Sequence, residues 1–105
     1  MKESDWKKFK AIKEKAIERF CTQALDEFGA VISKTDEHAQ DRYLHLQKLL
    51  KSRDKEMSSI FNEHSRYHAQ MQLMAIRAKG LADEALVAEL SDEFRAQTDP
   101  TRFGQ

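Results

Sequence analysis

Apolar residues recur four and three apart from Ala39 to Ala78: Ala39, Tyr43, Leu46, Leu50, Met57, Ile60, Tyr67, Met71, Met74 and Ala78, with only Arg53 and His64 interrupting the row. Such spacing is the heptad signature of a helix that packs lengthwise against other helices, as in a coiled coil. It predicts one continuous helix over 36–79, with Thr35 as N-cap and Asp36 and Glu37 in the first turn. The polar run Lys48 to Glu56 is its weakest part, and Ser52-Arg53-Asp54 is the candidate for a break. No Gly or Pro falls there and the heptad phase is the same on both sides, so continuity is expected.

A second stripe precedes this row. Trp6, Phe9, Ile12, Ala16, Ile17, Phe20, Cys21, Ala24, Phe28, Val31 and Ile32 share one helical face. Trp6, Ile17 and Phe28 recur every eleven residues, a period close to the natural helix repeat. A nearly straight first helix is expected over 4–32, with Ser4 as N-cap and Gly29 inside its last turn. Gly80 should end the second helix in a Schellman close, Leu81 folding back on Ile76. Leu86, Leu90 and Phe94 form a narrow stripe on a third helix over 83–97, stopped by Thr98-Asp99-Pro100. Residues 98–105 are expected as a loose tail unless Phe103 docks. No segment alternates as a strand would, and no Gly-rich loop is present.

The fold class that follows is all-α: an antiparallel helical hairpin with a long second helix, plus a short C-terminal helix. A turn near Lys34 levels residues whose numbers sum to about 68–70, because both helices rise at one rate. Phe28 then meets Tyr43, Phe20 meets Leu50, Phe9 meets Ile60, and Trp6 meets His64. Leu49, Phe61 and His68 widen the stripe of the second helix beyond a two-helix seam. Leaving several such side chains wet is costly, at roughly 1.5–3 kcal/mol for each Leu or Phe. A homodimeric helical bundle is therefore expected, with Leu49, Met57, Phe61, Tyr67, Met71 and Met74 as its interaction surface.

Composition narrows the function classes. The 105 residues suit one domain over 1–105, and 34% charged residues with three Gly and one Pro suit helices with wide solvated faces. A formal net charge of zero removes any bulk electrostatic pull toward nucleic acid or anionic membrane. The distribution is uneven: residues 1–20 carry seven basic against four acidic side chains, while residues 81–99 carry one against six. Cys21, the single cysteine, lies on the first stripe and reads as a small core residue. No signal-peptide run or membrane span is visible, so a cytoplasmic protein is expected.

Candidate chemistry is sparse. Arg53, inside a core row, needs a carboxylate, and the expected pairing puts Glu14 and Glu18 within reach. His64 and His68, four apart on one helix face, make half of a zinc site with no third ligand nearby in sequence. His64 is otherwise a buried polar residue beside Trp6. There is no Glu-x-x-His, no His-Glu-x-x-His and no Cys pair, and no motif supports nucleophilic catalysis. Lys48, Lys51, Arg53, Lys55 and Arg66 could follow a phosphate backbone, although Asp54, Glu56 and Glu63 interrupt them. Met57, Met71 and Met74 together suit an adaptable groove for a partner helix. The expectation is a non-enzymatic interaction module without a cofactor, partnered by itself or another protein. A nucleic-acid-associated factor using the basic faces of the first and second helices is the alternative, and a His-based metal bundle a remote one.

Overall fold

In the computed structural model, which describes residues 1–102, the chain is all-helical and the described residues contain no strand. Helix α1 spans Glu3–Ile32, α2 Ala39–Phe61, α3 Arg66–Ala78, α4 Glu84–Val87 and α5 Asp92–Gln97, followed by a 3₁₀ turn at Pro100–Arg102. Phe103 lies outside the described residues.

Helix α1 begins one residue before the expected cap, after Lys2, and carries Gly29 inside its last turn as its pattern predicts. The connection to α2 is longer than expected. Thr35, Asp36 and Glu37 remain in a turn, and α2 starts only after His38, which makes no side-chain cap.

The expected helix over 36–79 is two helices. Ser52 sits in unbroken α2; the interruption comes at 62–65 and reverses the chain. Arg66 at the start of α3 reaches Glu3 at 2.7 Å, while past its end Arg19 donates to the Leu81 carbonyl and Lys79 meets Glu56 of α2 at 3.4 Å. Helix α3 therefore runs alongside α1 in the same sense and returns along the end of α2. Ser65 caps it, accepting from the His68 amide at 3.3 Å. The Glu63 carbonyl, outside either helix, accepts from Lys13 Nζ at 2.6 Å and from the Gln72 side chain. Reversal resets the helical phase. Ala69, Leu73 and Ile76 face the core, whereas the heptad positions Tyr67 and Met71 are 88% and 75% exposed.

Gly80 closes α3 as expected. Its φ is +69°, Leu81 N–H donates to the Ile76 carbonyl at 3.0 Å, and Gly80 N–H donates to that of Arg77 at 3.1 Å. The expected helix over 83–97 is interrupted at 88–91. Asp83 caps α4 through the Ala85 amide, and Ser91 caps α5 through that of Phe94. The start of the expected loose tail is fixed. Thr98 is fully buried, donating to the Phe94 carbonyl and accepting from Arg77 Nη1 at 2.9 Å.

These elements build a base and an arm. In the base, Phe9, Ile12, Ala16 and Phe20 of α1 meet Ile60 and Phe61, Leu73 and Ile76, and Leu81, Val87, Leu90 and Phe94 from the later elements. Asp5, almost fully buried, ties in the C-terminal part: it accepts from the Ser91 amide at 2.8 Å and the Ser91 hydroxyl at 2.6 Å. The arm is the far part of α1 beside the first two-thirds of α2. There α1 contributes only Ala24 and Val31 as buried residues, and α2 none before Ile60. The molecule is accordingly long, 53 × 29 × 23 Å.

Candidate interaction surface

Side-chain bonds from two arginines join the helices of the arm. Arg53 donates Nε and Nη2 to the two carboxylate oxygens of Glu27, each at 2.9 Å, and Nη1 to Glu56 at 3.1 Å. Near the tip, Arg42 Nη1 donates to the Ile32 carbonyl at 2.7 Å. This register differs from the expected one. Arg53 meets Glu27 instead of Glu14 or Glu18, and Phe20 packs edge-on against Phe61, centroids 5.9 Å apart, instead of against Leu50. The late start of α2 and its tip overhanging α1 account for the offset.

The two sides of the arm differ in chemistry. One side presents a charged cluster, with Gln23 and Glu27 of α1 facing Arg53 and Glu56 of α2 and Lys79 at its foot. The Arg53 bonds hold the Glu27 carboxyl below its ordinary range, against a smaller opposing effect of burial. On the other side a groove runs between Phe20, Cys21, Ala24, Leu25 and Phe28 of α1 and Arg53, Asp54 and Met57 of α2, so Arg53 borders both sides. Tyr43, Leu50 and Met57 recur every seven residues and extend that apolar side along α2, while Ile32 lies seven residues after Leu25 on α1. Leu25 is 66% and Tyr43 63% exposed, and Ile32 and Leu50 are also exposed.

The expected surface residues divide between three places. Phe61 is buried in the base, a correction to its reading as an interface residue. Leu49, Met57 and Met74 are half-buried, Met57 against the core cluster. Tyr67 and Met71 form a separate exposed pair on α3. Leu25, Ile32, Tyr43 and Leu50 were missing from the expected surface because the assumed pairing laid the two helices over each other along their full length. Their signal was Leu25 itself, an apolar residue outside the first stripe.

His64 is exposed, not buried, although it does pack beside Trp6 with ring centroids 5.4 Å apart. Its Nδ1 lies 3.3 Å from Lys13 Nζ, whereas His68 Nδ1 meets the Ser65 hydroxyl at 2.8 Å. Each ring thus has its own neighbour, and the described residues contain no group of three His, Cys, Asp or Glu side chains placed to hold a metal. Lys13 itself is buried, which lowers its pKa; the nearby Glu63 opposes that shift. Its ammonium serves the α2–α3 turn. Among the described residues no helix is long and apolar enough to cross a membrane. No family model, curated protein or solved structure matches the chain.

Proposed function

We propose that this chain is a non-enzymatic interaction protein, an adaptor, chaperone-like or regulatory module that works through the helical hairpin of its arm and assembles as a homodimer in the cytoplasm. The observation that carries this reading is the set of exposed apolar side chains on the arm, Leu25 and Ile32 of α1 with Tyr43, Leu44 and Leu50 of α2. Scattered surface leucines need no explanation, but a contiguous apolar strip on two adjacent helices marks a contact site. The half-buried, unpaired Cys21 agrees with a reducing compartment.

The test is capture from cell extract, with and without nuclease, comparing the wild-type chain with a Leu25→Glu/Tyr43→Glu variant. Protein partners that survive nuclease and are lost with the variant are the expected result. Recovery only of material that nuclease removes would overturn the reading. That outcome belongs to a second reading, favoured by Lys48, Lys51 and Lys55, which are exposed along the back of α2 and form no ion pair among the described residues. Nucleic-acid binding through them would weaken steeply with added salt.

A further inference from the structure

We infer that a groove along the α1–α2 seam receives one amphipathic helix of a partner protein, acidic in its first turn and basic three to four turns later, running in the same sense as α1. This rests on the interaction reading above and adds the seat and the chemistry of the partner. Three cavities make up the groove. The first, about 440 Å³, is lined by Lys10, Lys13, Glu14, Ile17 and His64. The second, about 500 Å³, shares Ile17 and adds Asp54, Met57, Ser58, Phe61 and Asn62. The third, about 140 Å³, shares Asp54 and Met57 and reaches Cys21, Leu25 and Phe28. Their common walls join them end to end, and no residue after His64 lines any of them. Helix α3 and the segments that follow it therefore leave this side of the seam uncovered.

Length and floor suit a helix. From Lys10 to Phe28 helix α1 rises about 27 Å, or about five turns. On its wall Ile17, Cys21, Leu25 and Phe28 stand four, four and three apart, and Met57 and Phe61 stand four apart on the wall of α2. A third helix laid along two others meets side chains at these intervals. Charge then selects among helices. At the Lys10 end, Lys13 is committed to the Glu63 carbonyl at 2.6 Å. Lys10 itself is exposed, its ammonium 5.7 Å from the Trp6 ring, and makes no ion pair among the described residues. Asp54, exposed on the opposite wall roughly three to four turns further along, likewise has no ion pair or side-chain hydrogen bond there. An acidic group fits beside Lys10 and a basic one beside Asp54. Glu14, near Lys10, adds a smaller call for a base on the other flank. Acid early and base late is the order that a helix's own dipole favours, and it sets the partner parallel to α1.

The probe is a labelled synthetic peptide of about 18 residues, with Leu at alternating three- and four-residue spacing, Glu in its first turn and Lys in its fourth, titrated with the full chain by fluorescence anisotropy. Saturable binding is expected. Lys10→Glu and Asp54→Lys should each weaken it about five-fold at unchanged helicity, since both side chains are exposed. A peptide with Glu and Lys exchanged should bind the wild-type chain more weakly and recover on Lys10→Glu/Asp54→Lys. Saturating peptide should also slow alkylation of Cys21, half-buried in the groove wall. No saturable binding, indifference to either charge reversal, or an unchanged Cys21 rate would each overturn the inference. So would alkylation that slows with protein concentration alone, because the groove would then hold a second copy of this chain. If no peptide binds yet Leu25→Glu/Tyr43→Glu loses a captured protein, the helix-in-groove inference fails and the interaction reading stands.

Discussion

Asp5 shows how one polar side chain can tie distant segments together. Burial raises the pKa of its carboxyl, but the Ser91 hydroxyl and amide, helped by Lys2 and Lys8, outweigh that and leave it lowered. A carboxyl with a depressed folded-state pKa contributes stability above its unfolded value near 4, and loses it as pH falls through the folded value. Asp83, bonded by Lys15, and Asp99, bonded by Thr101, shift the same way. Unfolding by urea should therefore become easier below about pH 4. Asp5→Asn should cost about 1–3 kcal/mol at pH 7 and flatten that acid limb; an unchanged limb would show that Asp5 does not couple to folding. Gly80, at φ +69°, is the other residue with no substitute. Gly80→Ala should lower the unfolding free energy by about 1–2 kcal/mol, although nothing lies within 4 Å of the added methyl.

At the scale of elements, α3 offers the sharpest contrast. Leu73 is fully buried and Met71, two residues earlier, is mostly exposed. Leu73→Ala should cost about 2–5 kcal/mol and Met71→Ala under about 0.5, measured by denaturant midpoint. The opposite order would restore the continuous heptad row. That row explains what could be read from the sequence. Amphipathic period reports that a segment is helical, and so α1, the helical state of most of 39–78 and the Gly80 stop were legible. Period does not report direction. Two helices joined by a four-residue reversal can keep a common heptad count, so Ile60, His64 and Tyr67 looked like one stripe. The missed signals were caps: Ser65, and the Ser91-Asp92-Glu93 run that starts α5. Conversely Thr35-Asp36-Glu37 has the composition of a helix start and forms a turn, because α2 begins where Arg42 can reach the Ile32 carbonyl. The interaction face was half legible. Met57 marked its groove, but the flank with Leu25 and Ile32 depended on a register that the pattern alone did not contain.

For the whole molecule, base and arm should differ in local stability. Helix α2 carries no buried side chain of its own before Ile60, whereas α3 contributes Ala69, Leu73 and Ile76 to a packed core. Hydrogen exchange at concentrations below any self-association should be faster in the arm than in α3; uniform protection would mean that the chain opens only as one unit.

The pairing of chain ends in the base has a consequence for how the molecule is made. Phe9, Ile12 and Ala16 have no core partner before Ile60, and Asp5 waits for Ser91, 86 positions later. A ribosome adds about 5–20 residues per second, so this opening stripe spends several seconds outside the tunnel before its neighbours exist. Over that interval α1 is an unpaired amphipathic segment carrying Trp6, Phe9, Phe20 and Phe28, open to capture by a chaperone.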